Sequence, residues 1–262
     1  MKEQVRIFFT ALMFYTRIPC PKEVDHSPEY INKATRYFPL IGWIVGSISF
    51  LAYWIISYVF GMQLAVLFSL VVGVLLTGAF HEDGFADVFD GFGGGWSKEK
   101  ILEIMKDSRI GAFGAIALIF LFSLKFLALH SVLISFGKHH LLFVSLLFIA
   151  YHALARFSAI CLAFTSEYAR DDELSKAKPI AKSHSKAEVI GASLFGLLPI
   201  VLLSYFHWQM VFVVFPLILL VLYARSYFQK WIGGYTGDCL GALEQASECL
   251  ILLTWITLAK MM

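Results

Sequence analysis

The stretch PLIGWIVGSISFLAYWIISYVFGMQLAVLFSLVVGVLLTGAF, residues 39–80, decides the fold class of this chain. It contains no Asp, Glu, Lys or Arg, and only the region of Gly61 divides it into two apolar runs, 39–60 and 63–80. A helix needs about 20 apolar residues to cross the hydrocarbon core of a bilayer. The stretch therefore predicts two membrane spans joined as a tight helical hairpin.

Composition extends this interpretation to the whole chain. Of its 262 residues, 59% are hydrophobic and 15% are charged, whereas about a quarter of the residues of a soluble domain are charged. We therefore predict an all-α, polytopic integral membrane helix bundle with about seven transmembrane helices, forming a single domain over residues 1–262. The residues before the first span are predicted to lie at the membrane interface. The remaining five predicted spans are 110–136, 141–165, 189–206, 208–228 and 241–259.

The distribution of Lys and Arg predicts the orientation of these spans, because positive charge collects in short loops on the cytoplasmic side. With the N-terminus inside, the inner segments hold 16 Lys and Arg, and the outer segments hold only Lys138 and Lys260. Residues 81–109, 166–187 and 229–240 then lie on the cytoplasmic face. The net charge of +2 gives no reason to expect a nucleic-acid partner.

An acidic motif, HEDGFADVFDGFGGG at residues 81–95, follows the second predicted span. If the helix continues past Phe80, then Asp83, Asp87 and Asp90 share one stripe. Like charges at this spacing repel each other unless a cation neutralises them. Oxygen ligands suit a hard ion such as Mg²⁺, which commonly binds one or two carboxylates together with substrate phosphates. The alternative is an ordinary solvated helix end, and Glu82 lies off the stripe.

Groups suited to phosphate binding come next in the sequence. The glycines Gly93, Gly94 and Gly95 carry no side chains, so we expect a flexible turn whose amides approach a phosphate or a bulky ligand. Lys106 and Arg109 are three residues apart, and from one helical face they can meet a phosphate. Their alternative role is membrane topology alone.

His81 begins the acidic motif. It is not part of HExxH, which disfavours a zinc protease. Its ordinary pKa near 6.5 suits an acid or base beside a metal site, although a histidine at a membrane boundary is more often an interfacial hydrogen-bonding group.

A second polar group lies at the start of the last span, in GGYTGDCLGALEQASE at residues 233–248. Asp238 is placed either to cap that helix or to bind an ion, and Glu248 lies inside an apolar segment, where a carboxylate indicates function. Arg225 is expected to reach the cytoplasmic interface. Arg156 is expected to do the same or to pair with an acid or a phosphate, and Lys125 to face another helix or a water pocket.

With these motifs the chain resembles the bacterial cobalamin synthase family of adenosylcobinamide-GDP ribazoletransferases. The resemblance covers most of the chain. The chain differs from the family at Glu82, where the family usually has an apolar residue. The matching motifs are FFTALMFYTRIPCP (8–21), FPLIGWIVG (38–46), HEDGFADVFDGFGGG (81–95), KDSRIGAFGA (106–115) and GGYTGDCLGAL (233–243), followed by Glu248.

The resemblance implies a Mg²⁺-dependent reaction at the cytoplasmic face of the bacterial inner membrane. A hydroxyl of alpha-ribazole, or of its 5'-phosphate, attacks the phosphate joined to cobinamide in adenosylcobinamide-GDP. The products are adenosylcobalamin, or its phosphate, and GMP. The bilayer is the other expected partner, and a homo-oligomer or an association with other corrinoid assembly enzymes stays open.

The predicted roles of the site residues follow from combining this reaction with the motifs. Asp83, Asp87 and Asp90 hold Mg²⁺ against the diphosphate, with Asp238 as a further metal ligand. Lys106 and Arg109 hold the phosphates or the GMP leaving group. Asp238 and Glu248 bind a second ion or orient the attacking hydroxyl, and His81 is the reserve candidate for the base.

Two other functions compete with this one. A membrane CDP-alcohol phosphotransferase also uses spaced aspartates, but it normally carries DGxxAR, and here Asp87 follows Ala86. A cation transporter would place its acids near the middle of its spans, whereas these acids lie mainly at span ends beside glycines and basic residues.

Overall fold

The structure, a computed structural model, describes residues 3–25, 27–136, 140–169 and 184–261. Within these ranges the chain forms ten α-helices. Their bounds are α1 Glu3–Tyr15, α2 Pro28–Ala34, α3 Phe38–Thr77, α4 Phe80–Gly94, α5 Lys98–Ile104, α6 Ala112–Phe136, α7 Leu141–Thr165, α8 Lys186–Ser204, α9 Val214–Ile232 and α10 Gly237–Ala259.

Six helical segments of the described chain are long and apolar enough to cross a membrane. The first of them contains α3, which is 40 residues long and bends sharply at Gly61, where φ is 78°. Its two arms run back along each other, because a Cβ at Gly73 would lie 3.4 Å from the hydroxyl oxygen of Ser49. The helical bundle and the hairpin at Gly61 are confirmed. Six such segments are close to the predicted seven spans, because the first segment contains both arms of the hairpin.

The helices assemble so that most polar connections lie at one end of the bundle, which we call the polar end. There Phe92 of α4 contacts Phe228 of α9 with ring centroids 5.7 Å apart, and the amide of Ala169 donates to the carbonyl of Tyr235 over 2.8 Å. At the opposite, far end the rings of Phe136 and His207 are 5.7 Å apart. The segments predicted to be cytoplasmic therefore share one end, as far as the structure describes them.

Part of that prediction falls outside the described residues. The segment 166–187 is described only at 166–169 and 184–187. The Lys and Arg residues that lie outside the described ranges are Lys2, Lys138, Arg170, Lys176, Lys178 and Lys182.

Helix α7 lies at the centre of the bundle, with most of its side chains buried. The first arm of α3 packs directly on it, since a Cβ at Gly42 would lie 2.7 Å from the carbonyl oxygen of His152, and one at Gly46 would lie 2.6 Å from that of Phe148. Small residues let membrane helices approach closely and gain van der Waals contact. These two glycines therefore fix how α3 crosses α7.

Candidate functional site

Helix α4, which carries the acidic motif, is a separate helix and does not continue the second arm of α3. Gly78 (φ 66°) ends α3 in the left-handed region, and Ala79 (φ 59°) follows in the same region before α4 begins at Phe80. Few residues other than glycine adopt this conformation. The prediction that the second span continues through the motif is therefore wrong, because two left-handed residues redirect the chain.

The three aspartates of the motif differ in their exposure. Asp83 is exposed, Asp87 is partly buried and Asp90 is buried. They keep the helical spacing that places them on one stripe of α4. That stripe therefore runs from an open surface near the start of the helix to a packed position near its end.

Asp90 binds the start of α6. Its carboxylate oxygens accept hydrogen bonds from the amides of Gly111, over 2.7 Å, and Gly114, over 2.8 Å. A carboxylate at this place satisfies free amides and interacts favourably with the helix dipole. A Cβ at either glycine would collide with the Asp90 carboxylate. Metal binding by Asp90 stays a prediction. The contacts that Asp90 makes in the structure hold α4 and α6 together.

Asp238 lies beside α4, on the first turn of α10. A Cβ at Gly84 would lie 2.9 Å from the Cα of Asp238, and one at Gly241 would lie 2.9 Å from the carbonyl oxygen of His81. The two helices therefore cross with their backbones almost touching, which brings Asp83 and Asp238 to neighbouring helices at the polar end. The cap of α10 is Thr236, whose side chain accepts from the Cys239 amide over 3.3 Å, so Asp238 is not the N-cap.

The glycine run is helical where we predicted a flexible turn. Helix α4 extends through Gly94, and only Gly95 is extended, with its amide bonded to the carbonyl of Gly91 over 2.8 Å. A Cβ at Gly93 would lie 2.6 Å from the Phe113 ring, and one at Gly95 would lie 2.7 Å from the side chain of Ile101. These glycines therefore let α5 and α6 pack against α4, and their predicted contact with a ligand stays untested.

Lys106 and Arg109 do not share a helical face. Helix α5 ends at Ile104, and both residues lie in the exposed turn that leads to α6. The Arg109 guanidinium is 2.7 Å from the Asp107 carboxylate, and its hydrogen bonds hold the pKa of Asp107 at about 2. The turn forms because Asp107 also accepts the backbone amide of Arg109 over 3.0 Å. Both cations remain accessible at the polar end.

His81 is buried between α3, α4 and α10, so it does not lie on the exposed stripe. Its ring is 5.7 Å from the Phe38 ring, and its Nδ1 is 3.9 Å from a carboxylate oxygen of Glu244. Neither ring nitrogen has a hydrogen-bond partner among the described residues. Burial, reinforced by the positive charge of Arg156, lowers the pKa of His81 well below its usual value. A neutral imidazole is the form that accepts a proton.

The structure also assembles a buried ionic cluster inside the spans, which we define by Lys125, His152, Arg156, Glu244 and Glu248. Lys125 Nζ is 2.5 Å from Glu248, and His152 Nδ1 is 2.6 Å from the same carboxylate. Arg156 is 2.9 Å from Glu244 and 3.7 Å from Glu248. Two cations and two carboxylates from α6, α7 and α10 thus balance each other, which charges removed from water require.

Gln245 completes this cluster by accepting from Lys125 over 2.9 Å and donating to Glu244 over 2.7 Å. Arg156 pairs with acids, which is one of the two expectations for this residue. Lys125 faces another helix, as predicted. Glu248 lies ten residues along α10 from Asp238, about 15 Å at the helical rise, so it is a buried ion-pair partner and is not exposed at the polar end.

The sequence indicates the individual charged members of this cluster but not that they meet. The available signal was that Lys125, Arg156 and Glu248 are all ionisable and all lie within predicted spans, where such residues pair with one another. Glu82 lies at the edge of the cluster, buried, with one carboxylate oxygen lacking a hydrogen-bond partner among the described residues. Burial raises the pKa of Glu82.

The residues exposed at the polar end fit Mg²⁺ in their chemistry. Among the described residues no three His, Cys, Asp or Glu side chains are grouped to hold a metal. Mg²⁺ that is bound together with phosphates, however, needs only one or two carboxylates. The accessible Asp83 and the partly exposed Asp87 and Asp238 are hard oxygen donors of this kind.

A cavity of about 690 Å³ lies between α4, α6, α9 and α10. Its walls are apolar, including Phe85 and Val88 on the side of α4 away from Asp83, and Ala242 and Ala246 on α10. None of the described residues that line it is charged. The candidate site is therefore the polar end around α4 and α10 and not this apolar cavity.

Comparison with known proteins supplies a family. The chain matches the family described as cobalamin-5-phosphate synthase over residues 7–256. A relative from Leptospira interrogans is 41% identical over 257 residues, covering 97% of this chain and 96% of the relative. One from Ralstonia nicotianae is 41% identical over 261 residues, covering 99% and 97%, and one from Shewanella frigidimarina is 40% identical over 245 residues, covering 94% and 92%.

Each of these three relatives is named adenosylcobinamide-GDP ribazoletransferase. No solved structure matches the chain.

Proposed function

The chain belongs to the cobalamin-5-phosphate synthase family, and from this premise we propose that it is an adenosylcobinamide-GDP ribazoletransferase. It transfers the adenosylcobinamide phosphate group to alpha-ribazole or its 5'-phosphate. The attacking hydroxyl forms a new bond to the phosphorus joined to cobinamide, and the bond from that phosphorus to the bridging oxygen breaks. The hydroxyl proton is released and GMP leaves. The similarity to the relatives along nearly the whole chain supports this assignment.

The observation that carries the proposal structurally is the crossing of α4 and α10. It puts Gly84, which lies between the exposed Asp83 and the partly exposed Asp87 in α4, against the backbone of Asp238 at one end of a membrane bundle. Phosphoryl transfer is catalysed mainly by positioning and by electrostatic stabilisation. Carboxylates held on two rigid helices that meet at their glycines provide such positioning.

Within this site we assign metal binding to Asp83, Asp87 and Asp238. Bound Mg²⁺ would neutralise the diphosphate oxygens. Lys106 and Arg109, on the exposed turn before α6, bind the phosphates of the substrate or the GMP leaving group. His81 is buried beneath this surface, so it can serve as the base only if the nucleoside hydroxyl reaches below the exposed stripe of α4.

We also propose that the polar end faces the cytoplasm of the bacterial inner membrane. The excess of Lys and Arg in the segments that meet there supports this orientation. The two competing functions lose their support, because the relatives matched along the chain carry the ribazoletransferase name.

The direct test uses purified full-length protein in detergent with adenosylcobinamide-GDP, alpha-ribazole and Mg²⁺. We expect release of GMP together with formation of a cobalamin product. Asp87→Asn removes a carboxylate from the metal site and is expected to abolish both, while the exposed Glu99→Gln on α5 keeps full activity.

Two results would contradict these assignments. Absence of GMP release from folded wild-type protein would reject the function. Full turnover of Asp87→Asn at saturating Mg²⁺ would reject the metal site but leave the function in place.

A further inference from the structure

Arg17 lies in the segment that follows α1, and three contacts fix the end of α1 and Arg17 itself against the break between α3 and α4. The Phe80 ring, first in α4, contacts the rings of Phe14 and Tyr15 with centroids 5.7 Å and 6.5 Å apart. The Arg17 amide donates to the carbonyl of Leu76 over 2.7 Å. The position of Arg17 is therefore set from both sides of the break between α3 and α4.

The side chain of Arg17 rests on that break. Its guanidinium group and aliphatic carbons cover Gly78, where an added Cβ would collide with Nε. Gly78, the residue that caps the C-terminal end of α3, also adopts φ 66°. A glycine is thus required here both for its backbone conformation and for the space that the arginine side chain occupies.

The acidic stripe of α4 begins within one helical turn of this arginine. The amide of Asp83 donates to the carbonyl of Ala79, the residue after Gly78, over 2.8 Å. At 100° per residue Asp83 lies about 60° and Asp87 about 20° from Phe80 around the helix. The face of α4 that contacts the end of α1 is therefore next to the face that carries these two carboxylates.

Arg17 is free to bind a ligand. Its residue is exposed, and its guanidinium has no hydrogen bond or ion pair with any described residue. Asp83 is exposed in the same way. A fixed, unpaired guanidinium beside carboxylates that are suited to Mg²⁺ is an arrangement that fits a diphosphate, because Arg offers a planar fork of donors to phosphate oxygens.

We propose that Arg17 binds the diphosphate of the nucleotide-linked substrate, beside the metal held by Asp83 and Asp87. This inference rests on the proposed function and deepens it by adding a phosphate-binding residue. Arg17 approaches from α1, whereas Lys106 and Arg109 approach from the turn before α6. Cations then lie near both ends of the acidic stripe of α4, since Asp90 joins the end of α4 to the start of α6.

The test measures binding of inorganic pyrophosphate, in the presence of Mg²⁺, to full-length protein in lipid nanodiscs by isothermal titration calorimetry. Loss of a charged hydrogen-bonding group predicts that Arg17→Met binds pyrophosphate roughly 10- to 100-fold more weakly. Arg17→Lys keeps the charge but loses the planar fork of donors, so its affinity for pyrophosphate should lie between those of wild type and Arg17→Met. Lys22→Met is the matched control, since Lys22 is an exposed cation on the same segment, and it should bind like wild type.

A second variant, Gly78→Ala, changes the position of the Arg17 side chain indirectly. Its added Cβ displaces the guanidinium without removing it, so we expect weakened pyrophosphate binding here too. The KM for adenosylcobinamide-GDP should rise in Arg17→Met and Gly78→Ala, while the KM for alpha-ribazole stays unchanged. A purely structural role of Arg17 would not separate the two substrates.

The outcomes separate this inference from the proposed function. If wild type releases GMP but Arg17→Met keeps wild-type pyrophosphate affinity and KM, the role of Arg17 is rejected and the function stands. If pyrophosphate binding depends on Arg17 but no GMP is released, the diphosphate site stands and the ribazoletransferase assignment fails. Equal losses in Lys22→Met and Arg17→Met, or no pyrophosphate binding by wild type, would reject the role of Arg17.

Discussion

At the scale of single residues, charge is used in two different ways in this chain. Asp83 and Arg17 are exposed at the polar end, where neither side chain has a hydrogen bond or ion pair with a described residue. Glu248 and Lys125 instead lie inside the spans and neutralise each other. Exposed charges remain available for a ligand, whereas buried charges are stable only when they are paired and hydrogen-bonded.

Removing one member of the buried pair should therefore be costly. In Lys125→Met, Glu248 loses its closest cation and keeps only His152 and the more distant Arg156. Breaking a buried ion pair costs about 3–5 kcal/mol, so we expect the free energy of unfolding in detergent to fall by about this amount. Denaturant titration followed by tryptophan fluorescence measures it.

The double variant Lys125→Met, Glu248→Gln provides the control for this prediction. It removes both charges, so it should be more stable than Lys125→Met alone. If the double variant instead loses as much stability as Lys125→Met and Glu248→Gln lose together, Lys125 and Glu248 are not coupled.

At the scale of helices, glycine positions decide how closely neighbouring helices pack. Gly84 and Gly241 bring α4 against α10, and Gly42 and Gly46 bring α3 against α7. The sequence shows where the glycines are but not which of them face a neighbouring backbone. Gly73, in the second arm of α3, meets only the hydroxyl of Ser49, at 3.4 Å.

Two alanine substitutions in α3 should therefore have opposite consequences. Gly46→Ala places a Cβ 2.6 Å from the Phe148 carbonyl oxygen, and such overpacking costs about 1–3 kcal/mol. Gly73→Ala has room, and Ala is favoured over Gly in a helix by about 1 kcal/mol. Thermal unfolding of the purified proteins should show Gly46→Ala below and Gly73→Ala at or above wild type. The same loss in both would argue against the close crossing of α3 and α7.

At the scale of the whole molecule, the bundle separates a polar end from a far end, and the proposed orientation can be tested by labelling. Trp96, after α4, is 86% exposed, and Tyr205, after α8, is 89% exposed. Starting from a cysteine-free variant, we introduce Trp96→Cys or Tyr205→Cys. A membrane-impermeant maleimide should label position 205 in intact cells and position 96 only after permeabilisation. The reverse pattern would show that the polar end faces outward.

The sequence alone predicted the helical membrane bundle, the hairpin at Gly61, the grouping of polar segments at one end, and the family. These follow from features local to the chain: the length of apolar runs, the placement of Lys and Arg, and short motifs. The bilayer strongly constrains such features, because every spanning segment must be apolar and must satisfy its own backbone hydrogen bonds.

Only the tertiary structure decided what each polar side chain contacts. It showed that the chain breaks at Gly78 and Ala79, that Asp90 binds the start of α6, and that Glu248 pairs with Lys125, 123 positions away by residue number. These outcomes depend on which helix faces meet, and the rotation of each helix is set by contacts between residues distant in sequence. The pattern within one helix predicts which residues lie on the same face of that helix. It does not predict which residues of a neighbouring helix that face will contact.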